Sequence, residues 1–239
     1  ALARAVGAAG TPGRVVEPAF LGFTAPGLPA ALAGLRGRGY RRAVAVPLLL
    51  TAAYHGRVDL PAELARAAAD GTGPAVDLAG VLGPAADPGL DEPVLRLLVA
   101  GLGRRLGEVL PAGWAPDALV LAAAGSTDTT ALRTVDRVAA ALSAHCGVPC
   151  RAGYAGGAGP SVPAAVAALA GHGARRVAVA SYFLAPGRLH DRVVAQAAGA
   201  GAGPVAPALA AAPEVVDAVL VRAASAVPVP TAVPAGRAA

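Results

Sequence analysis

The chain contains no methionine and no lysine, so all 20 of its basic side chains are arginine and no residue marks an initiator. Aromatic residues make up only 3% of it, which excludes the stacking platforms of nucleic-acid binders and leaves alanine, valine and leucine to build the core. The net charge of +5 comes from arginines scattered along the chain rather than gathered in a patch, so a nucleic acid is not an expected partner. No apolar run approaches the length of a membrane span, and no charged-then-apolar leader opens the chain; a cytoplasmic protein with no membrane partner is the expectation. The two cysteines, Cys146 and Cys150, are too few for a disulfide framework. Their C-x3-C spacing beside His145 does not suit zinc, and they read as reduced structural thiols.

What is present in abundance is an internal repeat. A shift of 134 lays 20–42 on 154–176 without a gap, and from Ala19 to Arg42 eleven of 24 positions are identical. Alanine matches arise by chance, but Gly22 with Gly156, Pro26 with Pro160, Pro29 with Pro163, Gly39 with Gly173 and Arg41-Arg42 with Arg175-Arg176 do not come from composition alone. The expected fold class is therefore α/β, with two copies of one unit at 1–113 and 117–225 and a disordered tail at 226–239. The first copy reads as strand Arg14 to Leu21, helix Gly27 to Arg38, strand Ala43 to Leu50, helix Asp59 to Ala69, strand Ala75 to Leu82 and helix Leu90 to Val109. The second reads as strand Ala118 to Ala123, helix Thr130 to His145, strand Pro149 to Tyr154, helix Val162 to Gly171, strand Val177 to Leu184, helix Leu189 to Ala198, strand Pro204 to Pro207 and helix Pro213 to Ala224. At the same offset, the counterpart of Ala118 to Asp128 falls before Ala1. The chain is accordingly expected to lack roughly twenty residues of an opening strand and loop.

Ala43 to Leu50 is a continuous apolar run of the kind buried on both faces of a parallel sheet. In open α/β sheets the carboxyl ends of the strands border the ligand crevice, which puts His55, in the following loop, where a metal or a proton can be handled at neutral pH. Tyr54 and Arg57 flank it, and Arg57 can meet an anion or only solvent. Asp59 reads as the cap of the helix that Pro61 begins. His190 lies one residue from the repeat position of His55. His172 falls at the opposite edge of the sheet, and His145 ends a helix, where a cation is favourable. Gly153 to Gly159 follows a strand and precedes a helix, a setting that cradles phosphate, but it lacks the dinucleotide-binding order of glycines. Ser126 has no nucleophile frame around it and reads as part of a helix start.

Taken together, the His55 block with Asp59-Leu60-Pro61, Val16 to Leu21, Leu82-Gly83-Pro84 with Asp87-Pro88, and Ser181 to Gly187 with Asp191-Arg192 resemble the class II tetrapyrrole chelatases. The likeness is strongest to the sirohydrochlorin chelatases of the CbiX type and covers residues 14 to about 224. It implies two repeated flavodoxin-like units, with parallel sheets flanked by helices, facing each other across a cleft. It also implies an enzyme, a lyase that inserts Co2+ or Fe2+, as substrate and not as resident cofactor, into sirohydrochlorin on a cobalamin or siroheme pathway. On this resemblance His55 is the catalytic residue and metal ligand or base, with Tyr54 and Arg57 as substrate-binding neighbours and Arg188 a further candidate for meeting carboxylates. The family's second histidine lies in a Gly-His-Gly-Ser turn that would precede Ala1, and in the second copy Ala124 stands at that position. A carboxylate often found after the family's second strand is here replaced by Gly22. Restoring the opening segment is expected to restore activity, and His55→Ala to abolish it. The competing reading is a bilobal tetrapyrrole- or metal-binding protein without turnover; a two-lobed binding protein of the exported kind is disfavoured by the lack of an export signal.

Overall fold

In the computed structural model the described residues are 1–10, 13–21, 24–52, 60–71 and 73–228. Its elements run α1 (Leu2–Ala9), α2 (Leu28–Gly37), β1 (Arg42–Ala45), α3 (Leu60–Ala69), β2 (Ala75–Leu78) and α4 (Glu92–Gly107) through the first copy. The second holds β3 (Ala118–Ala123), α5 (Thr129–Cys146), β4 (Cys150–Tyr154), α6 (Val162–Gly171), β5 (Val177–Ser181), α7 (Arg188–Gly199) and α8 (Pro213–Ala224), and β6 (Val227–Pro228) follows. The strands form two three-stranded sheets, ordered β1-β2-β6 and β4-β3-β5. All pairings are parallel except that of β6, which runs antiparallel to β2. Two parallel sheets, each flanked by helices, are the α/β repeat expected from the sequence.

The repeat extends to individual hydrogen bonds. Phe20 N donates to Pro26 O at 2.9 Å, and 134 residues later Tyr154 N donates to Pro160 O at the same distance. The turn that ends α2 is closed by Tyr40 N to Leu35 O, 3.1 Å, and its counterpart after α6 by Ala174 N to Leu169 O, 3.1 Å. Both turns need a left-handed residue, which glycine adopts without a Cβ penalty, and Gly39 and Gly173 sit there at φ +88° and +94°. α1, absent from the sequence expectation, falls at that offset within α5.

Helix α4 carries Val94, Leu95, Leu98, Leu102 and Leu106 at helical spacing, all buried. That stripe lies against α5, α8 and β5 of the second copy, while α8 reaches back to α1 and α4. The central core is thus shared: Leu82, Leu98 and Leu102 from the first half meet Leu119, Leu121, Leu142 and Leu209 from the second. β3 is buried on both faces, with Leu119 and Leu121 turned to this core and Val120 and Ala122 to a second one under α6 and α7. Each such Leu or Val contributes about 1.5–3 kcal/mol on leaving water.

Arginines join the halves in both directions. From the first, Arg104 pairs with Glu214, and Arg105 donates to Leu209 O at 2.9 Å. From the second, Arg137 donates to Ala85 O, Asp87 O and Leu90 O at 2.7–2.8 Å. Arg222, only 6% exposed, bonds Asp91 Oδ1 and Gly83 O, each at 2.6 Å. These contacts hold the loop 83–92 against α5 and α8.

The expected strand Arg14 to Leu21 is not a strand here. Residues 14–19 run without strand pairing and only Phe20 makes a bridge, to Gly27. The strand expected over Ala43 to Leu50, buried on both faces, shortens to Arg42–Ala45, and Val44 is 45% exposed. Pro47, with no N–H to give, follows one residue further on, after Val46. The strand expected to Leu82 likewise ends at Leu78, and the one expected over Pro204 to Pro207 is a single bridge, Val179 with Val205. Val227–Pro228, at the start of the segment read as a tail, lies against β2.

Candidate functional site

The carboxyl ends of both sheets' strands converge on one cavity of about 350 Å³. Its walls are the segment Leu48 to Thr51 beyond β1, the turn Ala123 to Ser126 after β3, Tyr154 at the end of β4, the segment Tyr182 to Leu184 after β5, and the inward face of α5's first turns. Both halves contribute, so the cavity is the cleft between repeats. Its position follows from the parallel topology: every β-to-α crossover leaves its loop at this edge.

Most of the lining is apolar, with Thr51, Ser126, Tyr154 and Tyr182 as its polar groups. Tyr182, from the second half, donates its hydroxyl to Leu50 O of the first at 2.9 Å. Burial pushes the Tyr182 hydroxyl well above the usual phenol range, so it stays a neutral donor. Leu50 O is confined on another side, since a Cβ at Gly83 would lie 1.8 Å from it; only glycine fits there. Tyr154 is pushed up to about 12, mainly by burial and further by the nearby charge of Asp136. These phenols are therefore donors or shape-givers, not bases, at neutral pH.

The Ser126 turn is built for a helix start. Ser126 Oγ accepts from Asp128 N at 3.0 Å, and Asp128 caps α5 by accepting from Thr130 N at 2.8 Å. Gly125 precedes it at φ +97°, and a Cβ there would meet Gly156 O at 1.8 Å, so the turn requires glycine twice over.

His55, Tyr54 and Arg57, the expected site, lie outside the described residues, as do Asp59 and Gly22. Described chain reaches the cavity wall at Leu50 and Thr51 and resumes at Leu60, the first residue of α3. The other histidines are placed. His190, on the first turn of α7, packs edge-on against Phe183 with ring centroids 5.5 Å apart, and its buried Nε2 has no partner among the described residues. His172 caps α6 at the opposite edge of the sheet, with Nδ1 2.7 Å from Ala168 O, where the repeat had put it. His145 sits in the last turn of α5 beside Gly103. Cys146 and Cys150 are free thiols raised above the ordinary range by burial, Cys150 to about 12. Among the described residues no group of three or more His, Cys, Asp or Glu is arranged to hold a metal, and no helix is long and apolar enough to cross a membrane.

Sequence reasoning missed Tyr182 and the arginines that clasp the halves. Arg222 had a readable signal: it shares the buried face of α8 with Val215, Ala218 and Val219 at helical spacing, a position where a cation needs a partner.

The CbiX family model matches residues 1–88 and 118–226. No curated protein matches the chain. Among solved structures, SirB from Bacillus subtilis with Fe3+ superposes with a TM-score of 0.76 at 20% identity, over 92% of this chain and 85% of that one. The sirohydrochlorin chelatase SirB from Bacillus subtilis subspecies spizizenii, in complex with cobalt, gives 0.66 at 22% identity, over 93% and 88%. CbiX, described as the terminal enzyme for biosynthesis of siroheme in denitrifying bacteria, gives 0.61 at 22%, over 92% and 88%. At these identities the structural likeness is one of fold.

Proposed function

This chain belongs to the CbiX family, and from that membership we infer that it is a chelatase inserting a divalent metal ion, Co2+ or Fe2+, into sirohydrochlorin. The observation that carries the reading is the match of the family to both repeats, over the parts of the chain whose strand ends form the cavity. The relatives bound to Fe3+ and to cobalt support a transition metal as substrate.

The reaction exchanges two pyrrole protons for one metal ion. It needs a ligand that brings the ion to the ring nitrogens, an acceptor for the protons, and a surface that receives the macrocycle. An imidazole that is neutral near pH 7 holds the ion through its one basic nitrogen and, once the ion has passed to the ring, takes up one pyrrole proton there, the other going to solvent water. His55 is assigned both roles, supported by the two ends of described chain that bracket it: Leu50 and Thr51 line the cavity, and α3 starts at Leu60. Tyr54 and Arg57 are assigned to the macrocycle's rim. The apolar walls, with Tyr182 fixing the Leu50 carbonyl, present a flat-faced ligand with a surface that asks for little polar desolvation.

The test is an anaerobic incubation of the full chain with sirohydrochlorin and Co2+ or Fe2+, followed by the absorbance of the metallated tetrapyrrole. Metallated product in excess over protein is the expected result. Binding of sirohydrochlorin with no product released marks a binder without turnover and removes the enzyme assignment.

A further inference from the structure

The glycine loop after β4 is built against the cavity wall. Ser126 and Ala158 form an antiparallel bridge, with Ala158 N donating to Ser126 O at 3.2 Å. Gly156 O lies against Gly125, and a Cβ on Gly157, at φ +78°, would stand 3.0 Å from Ser126 N. Two strand-to-helix turns of the second half therefore lie one on the other, and Gly125 and Ser126 face the cavity. Among the described residues, the N–H groups of Gly156 and Gly157 donate to no carbonyl.

Arg192 of α7 stands beside this loop. Its Nη1 is 3.7 Å from where a Cβ on Gly156 would be, its side chain is exposed, and it makes no hydrogen bond or ion pair with any described residue. Asp128, in the apposed turn, caps α5, and Asp191, next to Arg192 in the chain, lies 3.9 Å from His190 Nδ1. A guanidinium without a counter-charge, next to free backbone donors in a left-handed glycine turn, is an anion site by its chemistry.

We propose that Arg192 and the Gly156–Gly157 N–H groups receive one peripheral carboxylate of the tetrapyrrole and so set the rotation of the macrocycle in the cleft. This rests on the chelatase reading above and adds a specificity-determining residue from the second half. Guanidinium and carboxylate meet as planar, bidentate partners, which fixes direction as well as adding affinity.

The experiment titrates metal-free sirohydrochlorin and its fully methyl-esterified form into the full chain by tetrapyrrole fluorescence, with Arg192→Ala, Arg192→Lys and, at the other edge of the sheet, Arg175→Ala. Arg192→Ala is expected to weaken binding of the acid form about tenfold and to leave the ester unchanged, with Arg192→Lys between and Arg175→Ala like the parent. Unchanged acid binding in Arg192→Ala, an equal loss on the ester, or the same loss in Arg175→Ala overturns the subsite and leaves the chelatase reading standing. A parent chain that binds neither form and yields no metallated product overturns both.

Discussion

The two sheets descend from one repeat but hold their strands differently. In the second, β3 lies between β4 and β5, and every residue of β3 and β5 is buried. In the first, β1 pairs among the described residues only with β2, and its residues alternate between exposed and half-buried. Phe20, Leu21, Val44 and Leu48 all stand more than 40% exposed on this side. Their shared turns, Gly39 and Gly173, show that backbone design is not the cause. The difference lies in the helices that cover each sheet, α4, α5, α6 and α7 on the second against α2 and α3 on the first among the described residues, and it teaches that the second half is the better packed partner. The cavity segments of the first half take their order from it, through Tyr182 on Leu50 O and Arg222 on Gly83 O.

Breaking the clasp is the most severe way to probe that dependence. Arg222→Ala leaves the Asp91 carboxylate and Gly83 O without their shared partner in a half-buried site, and a loss of about 3–5 kcal/mol is expected, read as a lowered urea midpoint. Acid attacks the same contact from its other end. The hydrogen bond from Arg222 holds the Asp91 carboxyl below the ordinary range, against the opposing effect of its burial. Its folded pKa is depressed, so its contribution is present above the unfolded value of about 3.9 and is lost as pH falls from there through the folded value. Asp91→Asn should remove that part of the acid sensitivity, seen as a flatter stability curve below pH 4.

Tyr182→Phe keeps the ring in place and deletes only the bond to Leu50 O. About 1 kcal/mol of stability should go, and hydrogen exchange should rise at amides near Leu50 while those of β3 stay protected. A uniform rise across both sheets would contradict the view that the second half lends order to the first. The smallest effect is expected within the first sheet, where Arg42 pairs with Asp77 at 2.8 Å but is 73% exposed. Arg42→Ala should cost less than about 1 kcal/mol, and less still at high salt.

This contrast also explains what could be read from the residues. β3, α6 and α8 have the bounds expected of them because the hydrophobic run agrees with a proline near the start of each and, at β3 and α6, with a following turn glycine, and tertiary contacts add nothing conflicting. Ala43 to Leu50 is equally apolar, and Arg14 to Leu21 is interrupted by Glu17 and Pro18, but a strand needs partners along its length, and among the described residues only Arg42–Ala45 and Phe20 have them. The cleft between repeats was legible from the offset and the parallel topology. The arginine clasp and the Tyr182 bond were not, because each joins residues 47 or more apart through partners that are mostly backbone carbonyls, which sequence does not distinguish.

The central claim is that the first half carries the metal-handling imidazole while the second supplies the wall and the order. The direct measurement is the initial rate of metallated product for His55→Ala and His190→Ala, each in the full chain and side by side. The account predicts a fall of at least about 100-fold for His55→Ala and a rate near the parent's for His190→Ala. A parent-like rate in His55→Ala, or a collapse confined to His190→Ala, would contradict it.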